Sequence, residues 1–222
     1  MTRAMIAPFL FGLVGAAILI SLGIWQVQRL AWKQDVLAGI EARIGAVPVP
    51  VPEAPTPEAD RYLPVEVTGR LGEEEVHVLV SRKQFGAGYR IITSLDTGSR
   101  RFLLDRGFVA DEDKSAPRAL HDVTVIGNLH WPDDRNSSTP ANDQAGNIWF
   151  ARDIPALAEQ LQTEPVLIIA RSDTGDGIEP LPVDTAAIPN DHLQYAITWF
   201  SLAAVWLGMT AFLLWRIKRH AS

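Results

Sequence analysis

Cysteine is absent from this chain, which excludes disulfides, thiolate metal sites and cysteine nucleophiles. It leaves the compartment open, because a protein in an oxidising space can simply avoid thiols. Acidic residues are absent from both ends: all 26 lie between Asp35 and Asp191. The flanks carry Arg3 on one side and Arg216, Lys218 and Arg219 on the other. The formal net charge of −6 is therefore an acidic middle between basic ends. An acidic middle offers nothing to a polyanion and argues against nucleic acid as a partner. Metal and hydrolase signatures are lacking too. No H-x-x-x-H, H-E-x-x-H or G-x-S-x-G pattern occurs. Ser81, His77 and Asp105 can be assembled on paper into a catalytic set, as can some trio in almost any domain of this size. The chain is read as a non-enzyme.

Two long apolar runs are present. Residues 5–24 form an uncharged run that ends at Trp25, and residues 196–215 form another. Each suits an α-helix crossing a hydrocarbon core of about 30 Å. The first is longer than a signal-peptide core, and Trp25, Gln26 and Arg29 follow it in place of a small-residue cleavage site. It is read as an uncleaved span. Two spans put both termini on one side, and the basic C-terminal flank assigns that side to the cytoplasm. The long acidic segment between them is then expected in the periplasm. Gly12 with Ala16, and Ala204 with Gly208, are small residues four apart that suit close helix pairing.

The expected order is a membrane helix over 5–25, a helical extension over 26–45 and a proline-rich linker over 46–60. A β-rich domain over 61–171, a tether over 172–191, a second membrane helix over 192–215 and a basic tail over 216–222 follow. Strand patterns occur at 62–71, 75–81, 88–95, 101–110, 122–131 and 164–171, with a short edge candidate at 147–150 and glycine turn signals at Gly69 and Gly72. One helix is expected over 153–161, with Asp153 as N-cap and Pro155 in its first turn. The fold class is thus two transmembrane helices flanking an antiparallel β-rich (α+β) domain curled into a barrel or sandwich. Gly107, inside the strand RFLLDRGFVA, predicts a bulge, with Arg106 facing solvent or an acidic partner.

The second span is entered through Asn190, Asp191, His192, Leu193, Gln194 and Tyr195. His192, Tyr195, Trp199 and Trp206 fall within about 60° of one another on a helix. Such a face holds a flat lipophilic cofactor, or anchors the helix at the membrane interface. Both readings stand at this level. Trp25, Arg29, Trp32 and Lys33 likewise form either an interfacial collar or a ledge for an anionic group.

Five segments in order resemble the Surfeit-locus family of cytochrome c oxidase assembly proteins. They are LGIWQVQRLAWK (22–33), YLPVEVTG (62–69), GAGYRIITSL (86–95), LLDRGFV (103–109) and NDHLQYAITWF (190–200). Phe108 departs from the R-G-W form of the fourth. An Arg- and Ser-rich leader is lacking, which points to a bacterial member in the inner membrane. The resemblance implies an assembly factor that binds haem a and assists its insertion into oxidase subunit I, with haem a synthase as a further partner. It implies His192 as the ligand of the haem iron, the only metal expected. Tyr195 and Trp199 are then expected along the ring, and Arg29 or Lys33 at a propionate. The competing reading is a membrane-tethered scaffold for oxidase subunits without a cofactor.

Overall fold

The computed structural model describes residues 3–82, 86–186 and 188–220. Residue 187 of the expected tether and residues 221–222 of the expected tail lie outside these. The chain divides into two compact units, Met1–Gly39 with Thr185–Ser222, and Ile40–Asp184.

The first unit contains most of α1 (Arg3–Ile44) and all of α4 (His192–His220). Both helices are long and apolar enough to cross a membrane. Their outward side chains are apolar and exposed, for example Val14 at 57%, Val205 at 60% and Met209 at 66%. A surface of that kind suits lipid rather than water. The inward line on α1 is Gly12, Ala16, Gly23 and Gln26, and on α4 it is His192, Ala196, Trp199, Ala203, Trp206 and Thr210. Spacings of three and four along α4, and of four, seven and three along α1, make a coiled-coil-like seam.

Glycine matters here because the helices touch. A Cβ on Gly12 would stand 2.1 Å from Thr210 Cγ2, and one on Gly23 would stand 2.7 Å from the Phe200 ring. At Gly12 the bare backbone also lets the Trp206 indole N–H donate to the Gly12 carbonyl at 3.0 Å. This satisfies a donor that hydrocarbon would leave stranded. The expected pair Ala204 and Gly208 does not take part. Ala204 is exposed, and a Cβ on Gly208 would meet nothing within 4 Å. Ala196 and Ala203, at 2% and 3% exposure, are the small residues that α4 contributes.

In the second unit, five strands close a barrel in the order β1-β2-β3-β5-β4. They are β1 (Pro64–Arg82), β2 (Gly86–Asp96), β3 (Arg101–Ala110), β4 (Asp122–His130) and β5 (Leu167–Ala170). The sheet is mixed rather than antiparallel throughout, because β3 and β5 run parallel. A closed ring with an odd number of strands cannot alternate in direction all the way round, so one parallel pair is forced.

The strand patterns at 62–71 and 75–81 fuse into β1. Between them lies a bulge, not a turn: Leu71 pairs with Leu95, and the next partners are Glu75 and Thr93. Thr93 Oγ1 donates to the Gly72 and Glu74 carbonyls that the bulge frees, at 3.2 and 2.8 Å. Of the two glycines that look like a turn in sequence, Gly72 is a bulge residue, while Gly69 pairs in register with Val123 of β4.

Val65, Val67, Leu71, Leu104, Val125, Leu129 and Ile168 belong to one core cluster, in the barrel. Leu103, Leu167 and Ile169 alternate to the opposite face, under α3 (Ile154–Leu161), where Leu157 and Leu161 cover them. Burial on both faces explains why β5 reads as an unbroken apolar run. Asp153 caps α3 by accepting from the Ala156 N–H at 3.4 Å. Trp149 forms a single parallel bridge to Val78 at the expected edge.

The proline-rich segment lies against the barrel. Val49 pairs with Val65, Arg100 Nη1 donates to the Pro52 carbonyl at 2.7 Å, and α2 (Pro57–Asp60) is capped by Thr56. The carbonyl of Ile44, the last residue of α1, accepts from Asn128 Nδ2 at 3.1 Å and from Arg171 Nη1 at 2.9 Å. A cation and an amide thus satisfy one of the carbonyls that a helix end leaves unpaired.

Candidate functional site

His192 is the first residue of α4, and it is half-buried against α1. Its Nδ1 lies 2.8 Å from Oε1 of Gln26. An amide oxygen is an acceptor, so Nδ1–H is the donor and the lone pair of the imidazole sits on Nε2. Nε2 has no protein partner among the described residues. The geometry therefore leaves Nε2 as the ring nitrogen free to ligate, with the far side of the ring held.

The neighbouring residues separate. Trp199, two turns along α4, lies on the seam and is half-buried. Tyr195 is turned outward, with 55% exposure. Arg29 is exposed, with its guanidinium carbon 3.9 Å from the centroid of the Trp32 ring. The two side chains thus make a cation–π contact. Lys33 is half-buried. From Gln26, level with His192, Arg29 and Lys33 are about 4.5 and 10 Å further along the α1 axis. The sequence reading missed Gln26. The signal for it is its spacing: it continues the line Gly12, Ala16, Gly23 as the one polar member.

Apolar grooves also flank Trp206, roughly four turns down α4 from His192. One of about 440 Å³ is lined by Gly15, Ile18, Leu19, Leu202, Val205, Trp206 and Met209. Its lining is apolar, with the Met209 thioether as the one side chain able to ligate a metal, so it is chiefly a surface for hydrocarbon.

The barrel's polar side chains bond one another. His77 Nε2 pairs with Glu75 Oε1 at 2.7 Å, and Asp105 accepts from Arg90 at 2.6 Å. His77 and Asp105 are thus each bonded to a partner outside the trio Ser81, His77 and Asp105. No group of three His, Cys, Asp or Glu suited to a metal ion occurs among the described residues. The Arg152 guanidinium grips Asp134 through two hydrogen bonds, Nε to Oδ2 at 2.6 Å and Nη2 to Oδ1 at 3.1 Å. Burial pushes the Asp134 carboxyl up, but the Arg152 guanidinium outweighs it and holds the group below the usual range. His130 stacks on Tyr62 with centroids 5.3 Å apart. Burial first, then the Arg152, Arg61 and Arg90 charges, lower its pKa to about 4.

Arg106 and Gly107 form the predicted bulge, opposite Ile91 and Ile92. Arg106 is 2% exposed and meets an acidic partner, Asp176, at 2.7 Å, with Thr174 Oγ1 at 3.0 Å. Gly107 takes φ +127°.

A family model described as the SURF1 family matches residues 13–204. The chain belongs to the SURF1 family. A SURF1-like protein of Rickettsia felis is 31% identical over 204 residues, covering 86% of this chain and 89% of the relative. The SURF1-like protein of Monosiga brevicollis is 32% identical over 214 residues, with 86% and 82% covered. Surfeit locus protein 1 of Homo sapiens is 29% identical over 208 residues, with 82% and 69% covered. The SURF1 match spans the α1 seam from Leu13 onward, the whole barrel and the His192 end of α4.

Proposed function

We propose that this protein is a non-catalytic assembly factor for cytochrome c oxidase, which binds haem a and assists its insertion into subunit I. The observation that carries the reading is His192 at the mouth of the helix pair, with Nδ1 held by Gln26 and Nε2 without a protein partner among the described residues. A neutral imidazole is a suitable axial ligand for haem iron. Haem a is here the cargo, and a single protein ligand suits cargo that has to leave. An incoming ligand on the acceptor has one bond to replace.

In this reading His192 supplies the nitrogen, and the exposed Tyr195 ring offers an apolar flank one turn along. Trp199 holds the seam beneath. Arg29, exposed beside Trp32, is the cation nearest the histidine among the two proposed for a propionate, and Lys33 lies further out. The partners proposed are oxidase subunit I and haem a synthase. The setting proposed is a bacterial inner membrane, with both termini cytoplasmic and the barrel periplasmic.

The test is the optical spectrum of the detergent-purified full chain, co-expressed with haem a synthesis, as wild type and His192→Ala. The expected result is an a-type spectrum in wild type that the variant loses. Full haem content in the variant would discard His192 as ligand. A colourless wild type, in cells shown to contain haem a, would favour the cofactor-free scaffold.

A further inference from the structure

We infer that Gln26 is a positioning residue that sets His192 as a readily released haem ligand. The inference rests on the ligand role proposed for His192. Gln26 is 8% exposed, on a seam whose other α1 members are Gly12, Ala16 and Gly23. A buried amide in such surroundings costs free energy unless it is bonded. Its Oε1 accepts from His192 Nδ1 at 2.8 Å. That bond has two consequences. It keeps the proton on Nδ1 and the lone pair on Nε2, and it fixes the plane of the ring.

The choice of amide matters as much as the contact. A carboxylate at the same place would draw on the Nδ1 proton and make Nε2 a stronger donor, favouring ferric iron and long retention. A neutral amide orients the ring without that push. Gln26 therefore separates two properties that a carboxylate would couple: a preset ligand geometry and a weak ligand bond. A carrier needs both. The hydrogen bond also joins α1 to α4, so the ligand geometry depends on the helix pair remaining packed.

The experiment uses the full chain in detergent, loaded with haem a, as wild type, Gln26→Met, Gln26→Glu and His192→Ala. Two quantities are read: the rate of haem loss to excess apomyoglobin, and the reduction potential of the bound haem. Gln26→Met keeps the volume and removes the acceptor; haem loss should quicken roughly ten- to a hundredfold, with a more positive potential. Gln26→Glu keeps an acceptor and adds charge; haem loss should be slower than wild type and the potential more negative. A purely structural role for Gln26 would shift both variants in the same direction, and that result overturns the inference. So does a Gln26→Met protein with wild-type loss rate and potential. In both cases loss of haem by His192→Ala leaves the ligand assignment intact. Retention of haem by His192→Ala overturns the ligand assignment, and the inference falls with it.

Discussion

Replacing Gly107 by alanine tests the barrel's tightest backbone approach. Gly107 takes φ +127°, and a Cβ there would stand 2.1 Å from the Glu179 carbonyl oxygen and 2.8 Å from Pro180 Cα. Backbone cannot swing aside as a side-chain tip can. The 178–180 segment has to move off, and with it go two hydrogen bonds, Phe108 N to Glu179 O at 2.7 Å and Glu179 N to Phe108 O at 3.0 Å. Strain at an unfavourable φ costs about 1–3 kcal/mol, and the two bonds about 1 kcal/mol each. The total is about 4 kcal/mol, which lowers Tm by roughly 8–16 °C for a domain of this size. Gly98→Ala is the control: φ is +84° but a Cβ would meet nothing within 4 Å, so only the conformational cost of about 1–2 kcal/mol remains. The assay is pulse proteolysis of the full chain in detergent over a temperature series, with cleavage mapped within residues 40–184. If Gly107→Ala loses no more than Gly98→Ala, the close approach of 178–180 is not what requires glycine, and the reasoning is refuted.

Leu157→Ala removes a fully buried side chain from under α3 and should cost about 2–5 kcal/mol, read as a loss of protection in the same proteolysis series; a change below about 1 kcal/mol would mean that α3 is not seated on β3 and β5. His130 should make stability depend on pH. Its folded pKa of about 4 lies below the 6.5 of an ordinary imidazole, so the unfolded chain binds the extra proton first. The contribution is complete above pH 6.5 and is lost as pH falls from 6.5 to about 4, on the order of 2 kcal/mol after solvent screening. His130→Phe keeps an aromatic ring for the stack on Tyr62 and should flatten that part of the profile; an unchanged slope would assign it to other groups.

The sequence by itself determined the parts whose cause is local. Two uncharged runs, the α3 cap at Asp153 and Pro155, and the strands over 101–110 and 122–130 each follow from residue type and local pattern. The bulge at Arg106 and Gly107 was legible for the same reason, since a glycine within an apolar strand has few other uses. His192 stood out because an imidazole opening an apolar helix is chemically conspicuous.

The tertiary structure alone decided what depends on partners distant in sequence. Whether Gly72 turns the chain or bulges it is set by β2 alongside, where Thr93 takes up the freed carbonyls. The parallel pairing of β3 and β5 follows from closing five strands into a ring, a property of the count and not of any strand's own residues. Choosing Ala196 and Ala203 over Ala204 and Gly208 requires knowing which α4 face meets α1, because small residues occur on more than one face. Gln26 was hidden for the same reason. Its meaning comes from a histidine 166 positions away, and only the packed helix pair brings the amide to the imidazole.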